Sequence, residues 1–428
     1  MKILKTLKII VVTFSLLLIS SCSIEDGVDL NGPQTPSIAD GVSRAEVPQV
    51  VAGILSDMRD RLGTQIDAIS VLGRDYWRHQ GSDPRWVADV LAGDMDDNTF
   101  YTTAPYASRY ATVKECNLLL EGLQNTTADF TDAERAAIRG FANTIKAYEL
   151  LTVLGMQYEN GIRTEVSDPN NLGPFESYDD ALSTIIDLLN SAAADLALGG
   201  DVSPNTLGVS YYEFNRAITA RAAAYQGDYN LVLSALGDSF MDLFGDLNAG
   251  AYLQFSATGA DVLNPLFFAL NASEANARIA HPDFIASAEA GDSRVDKAVL
   301  RNSPLGVNTP TGELIGSYDV YIYQSNIDPV AIIRNEELLL LYAEANMVSN
   351  PVEAEQAINI VRNLSGLPDI PPGSVNEDRI LYERRYSLFA EGHRWIDMRR
   401  FGRLDQLVLD RPGDVVADRI PRPQNENE

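Results

Sequence analysis

Apolar residues recur at steps of three and four over long stretches of this chain, the spacing that lines one face of an α-helix. Ala137, Phe141, Thr144, Tyr148 and Leu151 form one such stripe, and Thr131-Asp-Ala-Glu134 ahead of it has capping-box spacing, so a helix is predicted to begin there. Asn350-Pro351-Val-Glu353 offers a cap residue, Pro at the first helical position and Glu at the third, before Ala354, Ala357, Ile358, Val361 and Leu364 on one face. Gly366 and Pro368 then stop that helix. Ser374-Val-Asn-Glu377 repeats the capping signature ahead of Tyr382, Tyr386 and Phe389. Leu338 to Leu341 run without a break, which predicts a helix buried on most of its circumference.

These helices come in pairs. Residues 216–236 and 335–366 each read as two helices across a tight turn, and Ala220, Ala224 and the Tyr225–Gly227–Tyr229 turn resemble a tetratricopeptide repeat. With 112–157 and 178–198, at least three hairpins are expected to stack, too degenerate for a regular solenoid. Residues 71–106 and 237–330 differ: they are rich in Gly, Asn, Ser, Thr and Pro with aromatics interleaved. Tyr318, Val320 and Ile322 alternate there with Asp319, Tyr321 and Tyr323, a short strand pattern. The expected fold is mainly α-helical, a superhelix of tetratricopeptide-like pairs in one domain over 46–428, with loop-rich insertions at about 71–106 and 237–330 and a few short strands.

The N-terminus has a different pattern: Lys2, Lys5 and Lys8, an apolar run from Ile9 to Ile19, then small residues before Cys22. This is the layout of a secretion signal over residues 1–21. As a helix the run rises only about 17 Å at 1.5 Å per residue, short of a hydrocarbon core of roughly 30 Å. Ile19-Ser20-Ser21-Cys22 resembles a bacterial lipobox, which makes Cys22 the expected lipidation site and 22–45 a polar, acidic tether. Cys116 is then left without a partner and reads as a buried core residue.

Composition narrows the function classes. The 428 residues are 45% hydrophobic, as a packed globule requires, and carry a formal charge of −27, which becomes −30 once Lys2, Lys5 and Lys8 leave with the signal. That balance argues against a nucleic-acid partner. The only histidines are His79, His281 and His393, with no H-E-x-x-H, G-x-S-x-G or glycine-rich phosphate motif, so neither an enzyme nor a cofactor is expected. Asp94-x-Asp96-x-Asn98 imitates a calcium loop but has Thr99 where Gly is needed and Pro105 where Glu is needed, so an EF-hand is rejected and no metal is expected.

Residues 376–402, NEDRILYERRYSLFAEGHRWIDMRRFG, resemble the C-terminal signature of the SusD/RagB family, outer-membrane nutrient-binding lipoproteins of Bacteroidota. LISSC, YATVKECNLLLEGL, AAAYQGDYNLVL, IIRNEELLLLYAEANM and the terminal RIPRPQNE are similar to further family segments in register. The resemblance implies a helical fold, a lipid-anchored position at the cell surface on the outer membrane, and a partner, a SusC-like TonB-dependent β-barrel transporter. Its role would be to capture a glycan ligand and deliver it to that barrel without catalysis. The alternatives are a peptide-binding RagB-like homologue, whose basic peptides the acidic chain would suit, and a helical-repeat adaptor that contacts only proteins. Within the signature, Glu391, Arg394, Asp397 and Arg400 fall at steps of three and read, beside Trp395, as a structural ion-pair ladder.

A sugar offers a rim of hydroxyls and a weakly apolar face, so a binding protein stacks a flat ring on that face and brackets the hydroxyls with amide, carboxylate or guanidinium groups. YWRHQGSDPRW, residues 76–86, holds all of these: Tyr76, Trp77 and Trp86 as platforms, Arg78, Gln80, Asp83 and Arg85 as brackets. The resemblance places ligand contacts on loops of this early region and of the later insertion. Each Trp has a second reading, a plug in the local core, since Trp is highly buried on average. Asp96, Asn98, Tyr101, Tyr321 and Tyr323 complete the candidate ligand set, with Tyr318 on the opposite strand face.

Overall fold

The computed structural model describes residues 35–259, 261–309 and 312–426, so the signal segment, Cys22 and the tether up to residue 34 lie outside the described residues. Three helices open it, α1 (Thr35–Asp40), α2 (Val47–Asp57) and α3 (Leu62–Leu72), followed by strand β1 (Tyr76–His79). Then come α4 (Phe100–Asn125), α5 (Asp132–Gln157), α6 (Tyr178–Gly199), α7 (Tyr211–Gln226) and α8 (Tyr229–Gly237). The later insertion carries β2 (Gly250–Leu253), β3 (Ala277–Ala280), α9 (Pro282–Ala286), β4 (Ala298–Thr309), β5 (Gly312–Val320) and β6 (Val330–Arg334). Helices α10 (Asn335–Asn346), α11 (Pro351–Leu364), α12 (Glu377–Ser387) and α13 (Arg394–Arg400) complete the chain.

Successive helices pack side by side from α4 to α8, and α10 joins the row by packing on α8 and pairing with α11. Local chemistry explains several boundaries. Thr131 and Glu134 form both halves of the expected capping box, with Glu134 N donating to Thr131 Oγ1 at 3.2 Å and Thr131 N donating to Glu134 Oε2 at 2.7 Å. Pro351 starts α11 as expected, but Asn350 makes no side-chain cap. Ser374 is not the cap of α12 either: Asn376 takes that role, accepting from Arg379 N at 2.9 Å, so the helix begins two residues later than its spacing suggested. Gly366 and Gly392 both take φ near +81°, and a Cβ on Gly392 would lie 2.9 Å from Ile66 Cδ1, so the signature needs Gly there for conformation and for closeness to α3. Helix α6 is apolar and long enough to cross a bilayer, yet Leu182, Ile185 and Leu189 are buried in the core, which accounts for its composition.

Two cores result. The larger one lies between the helices and includes Cys116, Phe141, Tyr211, Phe214 and Leu338. The second holds Trp77, Trp86 and Trp395 together with Phe284, Phe389, Ile279 and the far face of α3. Strands β1-β3-β5-β4 form one antiparallel sheet against this second core, and β2 pairs with β6 separately. The two segments expected as separate loop decorations are therefore joined by the β1–β3 ladder, and the expected strand through Ile322 stops at Val320.

The signature's ladder is a web instead. Asp397 takes Arg400 as spaced, at 2.9 Å, but its other oxygen accepts from Arg384 of α12 at 2.7 Å. Glu391 pairs with Arg334 at 2.8 Å, not with Arg394, and Trp395 is buried with its indole N–H on the Ala417 carbonyl at 2.8 Å. Helix α13 is too short for a ladder to dominate over carboxylates and guanidiniums brought in from α10 and α12.

One buried acid lacks such support. Asp75 is buried with neither oxygen meeting a donor at hydrogen-bonding geometry, and burial, only partly offset by Arg385, pushes its pKa up to about 7. An acid raised in the folded state binds its proton there while the unfolded chain, titrating near ~4, has lost it, so stability falls as pH rises from about 4 to about 7, by roughly 4 kcal/mol at most. Asp75→Asn should therefore change the denaturation midpoint least near pH 4 and raise it most at pH 8, checked by urea melts at both values.

Candidate functional site

The site is built on α3, because its Asp67 points under the sheet. Tyr76 Oη donates to Asp67 at 2.8 Å, Arg78 Nε at 3.1 Å, and Arg278 through Nε at 2.5 Å and Nη2 at 2.9 Å. Burial pushes the Asp67 carboxyl up, but Arg278 and Arg78 outweigh it and hold the pKa below the ordinary carboxylate value. One carboxylate thus binds the early segment through β1 and the late insertion through β3. The ladder runs one step past the strands, with Gly81 N donating to the Ala275 carbonyl at 3.2 Å.

Where the two segments leave the sheet, amides gather. Arg78 Nη2 reaches Asn276 Oδ1, and Gln80 Oε1 accepts from Trp86 Nε1 at 3.0 Å. Gln80 Nε2 donates to Ser82 Oγ at 3.5 Å, and Gln80 and Asn276 stand at half-exposed and exposed positions. Phe268 lies among them half-buried, its ring centroid 4.7 Å from the Arg78 guanidinium and 4.1 Å from that of Arg278. Asn271, in the left-handed region at φ 58°, donates its N–H to Asp319 at 2.6 Å and accepts at Oδ1 from Asn302 N at 2.7 Å. Arg301 pairs with the same Asp319 and donates to the Ala272 carbonyl at 2.7 Å, so residues 271–276 are tied to β4 and β5. The result is a rim of amides and hydroxyls, including exposed Ser82, Ser273 and Asn302, around a partly accessible aromatic edge.

The candidate residues divide sharply. Trp77 and Trp86 are only 4% and 3% exposed, so neither presents a face on which a ligand could stack. Trp77 meets His281 edge-on and donates Nε1 to Asp410 at 3.1 Å, and Trp86 meets Phe100 edge-on at 5.0 Å. Their second reading, plugs in the local core, is the one the geometry fits. Tyr76, Tyr101 and Tyr323 are likewise buried; Tyr101 donates to Asp89 at 2.9 Å and Tyr323 belongs to the larger core. Tyr321 and Tyr318 are half-buried. Asp83 and Arg85 pair with each other, at 2.6 Å, and Asp96 caps a local turn by accepting from Asn98 N at 2.7 Å. Of the candidate residues in the early stretch, only Arg78 and Gln80 reach the rim. Phe268, Asn271 and Asn276 were missed, since nothing local marks them apart from other loop residues.

Two cavities compare poorly with this rim. One beneath it, lined by Gln65, Arg221, Tyr323, Glu391 and His393, has about 70 Å³, against about 300–1,000 Å³ for small-molecule sites. A groove of about 340 Å³ runs between α4 and residues 163–172, but Tyr106 and Tyr110 pack on each other there at 4.8 Å, and its single amide, Asn117, accepts from Lys146.

Comparison with known proteins agrees with this architecture. Residues 320–423 match the SusD family model. A SusD-like protein of Formosa agariphila is 30% identical across 26% of this chain, and the match spans only 30% of that relative's length. Among solved structures, a SusD superfamily protein of Bacteroides thetaiotaomicron aligns over 90% of this chain and 98% of its own at a TM-score of 0.70 and 16% identity. Surface glycan-binding protein A of the same organism, in complex with laminarihexaose, aligns over 90% and 97% at 0.68 and 16%. At such identities the structural likeness is one of fold.

The burial of both indoles carries an expectation of its own. Trp77→Ala should lower stability by about 3–5 kcal/mol, the usual result of emptying a packed aromatic site, and denaturant melts check it. Trp86→Ala should fall in the same range.

Proposed function

We propose that this chain is a member of the SusD/RagB family and holds a neutral glycan on the rim formed by Gln80, Asn271, Asn276 and Phe268 at the cell surface. The family is one of non-catalytic glycan binders, and the fold matches that of a protein solved with a laminarin oligosaccharide. The observation that carries the reading is the meeting of two loop segments, some 200 residues apart, in a cluster of surface amides beside a half-buried aromatic ring. Amides donate and accept without charge, so they suit sugar hydroxyls and leave the ligand free to depart. Delivery to a SusC-like TonB-dependent β-barrel follows as the next step, and anchoring through Cys22 keeps the rim beside the membrane. A β-glucan such as laminarin is the first ligand to test.

Affinity electrophoresis through laminarin gels should retard the wild-type protein. Asn276→Ala and Phe268→Ala should each weaken binding by about 10-fold, equivalent to ~1.4 kcal/mol, with circular dichroism unchanged. Unaltered retardation in both variants would remove the rim as the site. A second expectation concerns the anchor: Cys22→Ala should shift the protein from the membrane fraction to the soluble one, and continued sedimentation with membranes would refute the tether.

A further inference from the structure

The three rim amides do not offer both of their ends to a ligand. Gln80 Oε1 accepts from Trp86 Nε1 at 3.0 Å and from Arg78 Nη2 at 3.5 Å, and Asn276 Oδ1 accepts from the same Arg78 nitrogen. Asn271 Oδ1 accepts from the backbone N–H of Asn302 at 2.7 Å. An indole N–H, a guanidinium and a backbone N–H can only donate, so each partner settles which end of its amide is the oxygen. In all three side chains the carbonyl is committed to the fold, and the NH2 group is the end that remains. Gln80 directs part of its NH2 to Ser82 Oγ at 3.5 Å. Asn271 and Asn276 are exposed, and among the described residues their NH2 groups meet no acceptor.

Taking the rim as the glycan site proposed above, we infer that it selects acetylated sugars, whose acetyl carbonyls accept from Asn271, Asn276 and Gln80, over sugars that offer hydroxyls alone. A hydroxyl that accepts from one amide still has its own proton to place, whereas a carbonyl brings two lone pairs and no proton and can take two donors at once. The N–H of an acetamido group points away from its carbonyl across the trans amide, so it is not driven against the donors. An acetyl ester has no such proton. The methyl of either group finds an apolar neighbour in Phe268, which is half-buried and 4.7 Å from the Arg78 guanidinium that orients two of the amides. A carboxylate would also suit NH2 donors, but Glu274 lies exposed in the same segment and the chain carries a formal charge of −27, which disfavours an anion. Neutral carbonyls are the acceptors left.

Calorimetric titration of the full chain with two matched pairs of glycans tests this. Chitotetraose and cellotetraose share one backbone linkage and differ in their acetamido groups, and glucomannan is compared before and after removal of its acetyl esters. The expected result is that at least one acetylated ligand binds about 10-fold tighter than its partner, the usual worth of one hydrogen bond. Preference for chitotetraose alone identifies an acetamido group, and preference in the glucomannan pair alone an acetyl ester. Asn276→Asp keeps the oxygen that accepts from Arg78 and replaces the outward NH2 by a second oxygen. It should therefore remove most of that preference without lowering the melting temperature, as should Asn271→Asp. Equal affinity within both pairs, or a preference unchanged in both variants, overturns the selectivity. In that event laminarin binding that Asn276→Ala and Phe268→Ala still weaken keeps the rim as the site, whereas binding of none of these glycans removes rim and selectivity together.

Discussion

A single carboxylate, that of Asp67, holds together the parts on which everything else at the candidate site rests. It lies on a helix of the scaffold and accepts from Tyr76 and Arg78 of one strand and from Arg278 of another, more than 200 residues away along the chain. Without it two guanidiniums would be buried and uncompensated, and breaking such a pair from one side costs about 3–5 kcal/mol. The attraction is therefore better seen as a register device than as net stabilisation. It fixes β1 against β3, and the turn residues beyond their ends have no freedom to choose other neighbours. Precision at the rim comes from this buried cluster, since Gln80 and Asn276 are themselves at the surface.

The same logic extends through the scaffold. Glu337 of α10 takes Arg221 from α7 at 2.6 Å and lies near Arg384 and His393, while Glu344 takes Arg400 from α13 at 2.7 Å. Burial alone would raise the pKa of Glu337, yet Arg221 and its other cationic neighbours bring it down to about 2. Glu149 shows what happens when pairing is thinner: burial lifts it to about 7 even with Arg109 at 3.1 Å. Most charges inside this protein are thus matched by partners from other elements, with Asp75 the exception. A helical frame locked in this way can display long loops without letting them wander.

How much of this the sequence disclosed depended on how local each cause was. Capping at Thr131, the hairpin at 335–366 and the stop at Gly366 are decided within a few residues, and they were legible. The pairing of β1 with β3 was not, because each strand is four residues long and neither carries a mark of its partner. The tryptophans misled for a related reason. In a stretch rich in Gly, Pro and charge they look displayed, but their faces are covered by Phe100, His281 and the segment around Asp410, contributed from far along the chain. Spacing also misled in the signature, where i, i+3 steps suggested that Arg394 would find a carboxylate on its own helix. Asp397 and Glu391 had stronger suitors on neighbouring elements.

That competition links the scaffold to the chemistry available at its surface. Most buried guanidiniums meet a carboxylate or a carbonyl of the chain itself, and the rim was left with amides and hydroxyls, groups that bind without charge. An acidic exterior neither attracts nor repels a neutral sugar, so recognition there must rest on shape and hydrogen-bond direction rather than on steering.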